Sequence, residues 1–575
     1  MVKGFFMKLN TRLISSLEKV FSDEELRAAP FSSASAAAGE VFSFQLAVQS
    51  LTPDPWFQDR LCYAELTLRA DCESALPVEL RRVVEMPVRV PAMVEEPNLL
   101  RSKPGLYPDY LQPMGEDRCF RIPGKWWQSL WVTVRIPENC RPGHYPVTVR
   151  LENAGNTRTE NRESVEAAFT LEVLPIRLEP QKLLCCEWFH CDCLYTYYNV
   201  PCWSDEHWRI MENFIRNGVA HGLNVLLTPL WTIPLDTRPG GERPTAQLLD
   251  IRRRGTVYQF GFEKLERFLE MGKRLGISHF AMSHAFTQWG AEATPKILAE
   301  VDGEERRIFG WDVPSDDPRY ADFLKQLLPC LISVIKKHHL EEKVFFSVSD
   351  EPTEEHLASY ARASALLNSV IGDMPTLEAL SSFDFFRRGL VRRPVPGCDH
   401  IEPFVGQVKE LWTYCCVAQE NRVPNRFFAM PSARNRIMGV LFYVYDIAGF
   451  LQWGFNFYYS LLSIEKIDPF IDPCAGYWVP AGDPFIVYPG AGGIAHDSLR
   501  HEVFHDAIQD LRALRSLEKG IGREAVLALV HDGLSSPISM TDYPRSADWL
   551  LQLRERVNHR LAQMRGDCSD PEAGA

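Results

Sequence analysis

From the start of the chain to about residue 178, apolar and polar positions alternate, or run apolar, in short segments. "VFSFQLAVQS", "AELTLRA", "SLWVTVRIP", "HYPVTVRLEN" and "AFTLEVLP" are rich in Val, Leu, Thr and Phe, with Pro, Gly and Asn between them. Such segments predict β-strands joined by turns. Helical periodicity is confined to the first twenty-odd residues. The pattern predicts an N-terminal β-sandwich over 1–178, with "LPIRLEPQ" as its exit linker. Beyond it the period changes. "LLCCEWFHCD", "NVLLTPLW", "HFAMSHAF" and "KVFFSVSDEP" read as strands. "DEHWRIMENFIRNGVAHG", "FEKLERFLEMGKRLG" and "YADFLKQLLPCLISVIKKHHL" between them read as helices. About eight such strand–helix units predict a (β/α)8 TIM-type barrel with insertions over 179–520. Residues 521–575 are expected to form a C-terminal helical extension and tail, with "RGDCSDPEAGA" disordered.

Composition narrows the function. A chain of 575 residues exceeds one hydrophobic core, so several domains are expected. The net charge of −13, with no Lys/Arg-rich stripe, argues against nucleic acid or anionic membrane as partner. No run approaches the ~18 apolar residues of a membrane span. The start, "MVKGFFMKLNTRLISSLEKVF", lacks a signal peptide's unbroken apolar region, so a cytoplasmic location is expected. The odd count of 15 cysteines fits reduced thiols. Cys185, Cys186, Cys191, Cys193 and Cys202 cluster with His190, but their spacing lacks paired C-x-x-C units, so buried thiols are expected. No metal and no cofactor are expected.

Two motifs carry chemistry. His501-Glu502-Val503-Phe504-His505 spells H-E-x-x-H, by which a zinc peptidase helix offers two imidazoles to the metal, and Glu524 stands where a third ligand can follow. At 100° per residue, however, Leu499, Val503, Ala507, Leu511, Leu514 and Leu517 form one apolar stripe. His501 and His505 fall on the opposite face and are expected to point to water, which speaks against zinc. The second motif is Asp350-Glu351, at the carboxyl end of an apolar strand expected over Val344–Val348. In a parallel barrel that end carries the chemistry. Adjacent carboxylates raise one another's pKa, as a general acid requires. Both reach one substrate only if the backbone turns between them, since neighbours on a strand point to opposite faces. A solvated strand end, whose acids favour the next helix N-terminus, explains the pair equally well.

"SVSDEP", followed by "LWTYCC", "VPNRFFAMPSARNR", "GFLQWGFNFY", "GDPFIVYPG" and "SLRHEVFHDAIQDLRAL", resembles glycoside hydrolase family 123 and the group of uncharacterised domains around it. The resemblance spans roughly 180–520 and extends more weakly into the sandwich. It implies a retaining exo-β-N-acetylhexosaminidase, with N-acetylgalactosamine favoured, whose substrate supplies its own nucleophile. The acetamido oxygen attacks C1 to give an oxazolinium ion. Asp350 would hold the acetamido N–H, and Glu351 would protonate the leaving oxygen and then deprotonate water. Tyr414 would donate to the acetamido oxygen, Trp453 would floor the sugar and Asn456 would bind a hydroxyl. Trp289, Trp188 and His190 would line the site. The implied partner is an oligosaccharide or glycoside. The chain departs from the family at "HDAIQDLRAL" and "GDPF", both structural in character. The alternatives are a barrel that binds carbohydrate without turnover and the zinc peptidase.

Overall fold

The computed structural model describes residues 7–54, 62–154 and 164–567; the tail expected to be disordered lies, from residue 568 on, outside the described residues. The N-terminal region holds two five-stranded sheets. One, antiparallel throughout, runs in the order Leu9–Ser15, Val41–Ser50, Trp127–Arg135, Val78–Val88, Gly105–Pro113. The other runs Ser33–Ala38, Ser164–Arg177, Gly143–Asn153, Leu66–Ser74, Cys119–Ile122, and its first pair is parallel. Phe44, Leu46 and Val132 from one sheet and Leu151 and Phe169 from the other share one buried core, where Phe44 stacks on Phe169 at 4.3 Å. Burying the inward half of each alternating strand is what stabilises such a pair of layers.

Two local expectations change. Leu9–Ser15 is a strand rather than a helix, because all seven residues pair with Phe44–Ser50 and complete a sheet edge. "LPIR" belongs to the strand Ser164–Arg177, so the linker shortens to 178–183.

The second region carries a parallel sheet in the order Val344–Phe345, His279–Met282, Val225–Thr228, Leu184–Glu187, Gly449–Gln452, Trp412–Tyr414. Glu378–Ala379 and Pro394–Val395 pair in parallel with each other. Isolated parallel bridges, Phe346↔Thr376 and Gly397↔Tyr414, flank that pair. Helices Asp205–Ala220, Glu263–Leu275, Pro318–Lys337, Leu357–Ile371 and Ala433–Val444 separate strands along the chain. Between Pro394–Val395 and Trp412–Tyr414 the connection holds only a 3-10 turn, Glu402–Phe404. The strand expected over Val344–Val348 keeps a ladder at two residues. Its continuation bridges Thr376 through Phe346, and at Val348 the N–H donates to the Glu378 carboxylate at 2.7 Å instead of to a neighbouring strand.

The last long helix, Leu499–Ile521, differs most from expectation. Its apolar stripe docks as predicted, and Gly439 lets the helix Ala433–Val444 approach so closely that a Cβ there would lie 1.9 Å from Ala507 O. The polar face, however, is covered by the N-terminal sandwich and the C-terminal helix Ala547–Asp567. Arg500 pairs with Asp109 at 2.8 Å, Gln509 bonds both backbone groups of Val41, and Arg436 and Arg554 hold Asp510. His501 is therefore 2% exposed rather than turned to water. Sandwich side chains supply opposite charges, so a polar face becomes an interface.

Candidate active site

Each strand of the six-stranded parallel sheet ends in a residue or loop that reaches one cavity of about 140 Å³. Trp188 and His190 follow Leu184–Glu187, and Asp236 lies beyond Val225–Thr228. Gln288 and Trp289 come after His279–Met282, and Asp350 and Glu351 after Val344–Phe345. Tyr414 ends Trp412–Tyr414, and Trp453 follows Gly449–Gln452. Carboxyl ends of parallel strands are where loops leave room for a ligand.

The turn that the adjacent acids require is present. Glu351 has φ +42°, in the left-handed region, so its side chain swings to the same cavity as that of Asp350. Trp289 (φ +57°) and Asp236 (φ +41°) share this conformation at the cavity wall. Left-handed non-glycine residues are costly and collect at functional sites. Two backbone bonds pin the turn: Trp289 N–H donates to Asp350 O at 2.8 Å, and Glu351 N–H to Ala379 O at 3.0 Å.

Electrostatics set the two acids apart from ordinary carboxylates. Burial, then the neighbouring Glu351, Glu378 and Asp236, push the Asp350 carboxyl well above its usual range. Burial also raises Glu351, while the Tyr414 hydroxyl, donating to Glu351 Oε1 at 2.7 Å, opposes the rise. Beneath them Glu378 accepts from Val348 N–H, and burial raises its pKa to about 8. The wall of the cavity carries no Lys or Arg among the described residues.

Trp188, Trp289, Tyr414 and Trp453 lie at the wall. Trp289 is 41% exposed, and Trp188 packs edge-on against His284. Trp453 Nε1 donates to Asp483 Oδ2 at 2.9 Å, which fixes the ring. His190 lines the cavity but is committed: Arg243 Nη2 donates to Nδ1 at 2.8 Å, so Nε2–H donates to Trp453 O at 2.8 Å. Burial, reinforced by the Arg243 charge, lowers its pKa to about 3, and the ring is neutral. Asn456 is a correction. It is fully buried behind the wall, where its amide accepts from His190 N–H and donates to His190 O. It holds the strand-end backbone and does not line the cavity.

Sequence reasoning missed Asp236, Glu378 and Asp483. Glu378 carried a signal as an acid on a strand beside the strand end that bears Asp350, and Asp483 stands in the family-like "GDPFIVYPG". The H-E-x-x-H set does not assemble. Among the described residues one cluster has metal-ligand spacing, and it contains His501 with His221 and Asp497, without His505 or Glu524. The cysteines near His190 are not part of it, and the described cysteines are free thiols.

The family model "Glycoside hydrolase 123, catalytic domain" matches residues 188–517, more than half of the chain and every residue of the cavity wall. This chain belongs to glycoside hydrolase family 123. It is a glycoside hydrolase by that membership, and the pocket acids lie inside the matched region. A family 123 glycoside hydrolase from Clostridium perfringens, described in connection with glycolipid glycan hydrolysis, has the same fold. It shares 14% identity, and the alignment covers 98% of this chain and 100% of that one with a TM-score of 0.74. The ASH/PapD-like domain of human CEP192 overlaps 31% of this chain and 92% of its own at 10% identity, with a TM-score of 0.16 that carries no argument. No curated protein sequence matches the chain. Among the described residues, no helix is long and apolar enough to cross a membrane.

Proposed function

We propose that this family 123 member is a retaining exo-β-N-acetylhexosaminidase, with N-acetylgalactosamine as the favoured sugar, acting through the substrate's own acetamido group. We read the six-stranded parallel sheet and the Glu378–Ala379/Pro394–Val395 pair as one (β/α)8 barrel joined through the two isolated bridges. The division into 1–178, 179–520 and 521–575 goes with that reading. The observation that carries the mechanism is the turned Asp350-Glu351 pair facing one cavity, with no cation in its wall and Tyr414 on Glu351.

In this mechanism the acetamido oxygen attacks C1 while the bond from C1 to the leaving oxygen breaks. Glu351 gives its proton to that oxygen, and the sugar becomes a cationic oxazolinium. Asp350, ionised, accepts the acetamido N–H and offsets the positive charge. Water then adds to C1 from the face the leaving group vacated, while the bond from C1 to the acetamido oxygen breaks and the acetamide is restored. Glu351 takes its proton, and the anomeric configuration is retained. Burial and the neighbouring acids hold the Asp350 carboxyl well above its usual range, so substrate must lower it. The developing cation does this, and one proton for two acids then resides on Glu351. Trp453 and Trp289 supply apolar faces for the sugar ring. Tyr414 reaches the acetamido oxygen once Glu351 turns to the leaving group.

The test is hydrolysis of aryl β-glycosides of N-acetylgalactosamine, N-acetylglucosamine and galactose by the full chain. Turnover confined to the acetamido sugars, with β-product first, supports the reading. Binding without turnover makes the protein a carbohydrate-binding barrel. Equal turnover of the galactoside removes the substrate-assisted step.

A further inference from the structure

The buried face of the last helix carries a second cluster of chemistry, none of whose residues lines the pocket. His221 follows the helix Asp205–Ala220, Asp497 ends the strand Ile494–Asp497, and His501 lies in the first turn of Leu499–Ile521. One ligand atom from each lies within 4.8 Å of the others. His221 Nε2 is 3.7 Å and His501 Nδ1 is 3.5 Å from Asp497 Oδ1. His221 Nε2 is also 3.6 Å from Glu502 Oε1. These separations exceed the ~2.7–3.2 Å of a hydrogen bond to imidazole. The imidazole–carboxylate separations match the ~3.4 Å between two ligand atoms that each lie ~2.0–2.1 Å from a tetrahedral ion, and the two rings, stacked at 3.9 Å with 26° between their planes, must splay for both nitrogens to face it.

A second observation points to a ligand. His501 Nδ1 has no hydrogen-bond partner although the side chain is almost fully buried. An unpaired ring nitrogen in such a place is costly, and a cation would satisfy it.

The surroundings are those of a metal's outer shell. His221 Nδ1 lies 2.9 Å from Asn217 O, so Nδ1 carries the proton and Nε2 turns its lone pair to the cluster. Asn217 Nδ2 donates to Asp497 Oδ1 at 2.6 Å. Arg81 holds the other Asp497 oxygen and Glu502 from the sandwich side. Arg81 balances one of the two carboxylates, which leaves one negative charge to face the imidazoles.

We propose that His221, Asp497 and His501 bind a first-row divalent cation, with zinc as the probe, that clamps the last helix to the helix Asp205–Ala220. Two imidazoles and one carboxylate suit such an ion. His505 and Glu524, the remaining residues of the peptidase pattern, stay outside the set.

The experiment uses the full chain without an affinity tag, stripped with chelator and dialysed against about 1 μM free zinc. Elemental analysis should find one zinc per chain, and the unfolding temperature should rise with zinc concentration. Co²⁺ in its place should give visible d–d bands. His501→Phe and His221→Phe, which keep a ring but remove the nitrogens, should weaken zinc binding by at least about 100-fold. His505→Ala should retain it. Chain that holds no zinc under these conditions overturns the proposal. So does wild-type affinity in both ring variants, which would put the ion elsewhere. Should neither variant fold, wild-type stoichiometry and the Co²⁺ bands decide alone.

Discussion

In the pocket, burial and mutual repulsion drive the Asp350 and Glu351 carboxyls up; beside the last helix, the equally buried Asp497 and Glu502 are held down. Glu502 falls to about 2 although burial by itself would raise it, because Arg81 and His221 lie against it. The difference is the position of positive charge. Around the last helix the protein supplies its own cations. In the pocket wall it supplies none, and under the proposed mechanism the reaction brings one, the oxazolinium. Acids left without counter-charge are destabilising until a cationic transition state forms, and that differential is what catalysis uses.

Breaking the pocket half has the largest expected effect. Glu351→Gln and Asp350→Asn should each lower kcat/KM on an acetamido glycoside by about 10²–10⁴-fold. Thermal unfolding should change little or shift upward, since a raised carboxyl is removed. A loss below tenfold for Glu351→Gln would exclude it as the general acid.

Breaking the cluster half should do the reverse. Arg81→Met leaves two buried carboxylates without their shared partner and should cost about 3–5 kcal/mol in denaturant unfolding. KM should stay unchanged. An unaltered unfolding midpoint would show that Arg81 is not what keeps the pair ionised.

Tyr414→Phe sharpens the comparison within the pocket, at about 1.5–3 kcal/mol for one hydrogen bond to a charged group. The hydroxyl favours ionised Glu351, so its removal lets Glu351 keep its proton to higher pH. The alkaline limb of the kcat/KM profile should move up. A downward shift would contradict the contact.

The last comparison concerns Glu378, whose pKa rises from 4.5 to about 8 on folding. The folded state holds that proton more tightly, so this contribution to stability is complete below pH 4.5. It is lost as pH climbs through 8. Against Glu378→Gln, the wild type should lose stability between about pH 5 and 8 in denaturant titrations. A constant difference across that range would mean the carboxyl is already ionised.

Much of the site was legible because strand ends are legible. A short apolar run followed by acids, as at Asp350, or by Trp, as at Trp188 and Trp453, places a side chain at a carboxyl end. Asn456 shows the limit, since proximity in sequence to Trp453 does not say which of the two turns to the cavity. Its amide satisfies the backbone of His190, which lies on another strand end. Asp236 was invisible for a related reason: it reaches the wall on a long loop.

The last helix teaches the same lesson more sharply. Periodicity separated its apolar stripe from its polar face correctly, but water was assumed on the polar side. A hydrophobic pattern records which face avoids water, not which polar face meets another part of the chain. Arg81 and His221, some 420 and 280 residues before Glu502 and His501, decide that face. The sequence by itself determined the alternating and helical periods, the acid pair and the family. Tertiary structure alone decided the left-handed turn that aims both acids into one pocket, the side to which Asn456 points, and the company of His501. Periods come from local backbone geometry, whereas counter-charge comes from residues that only folding brings near.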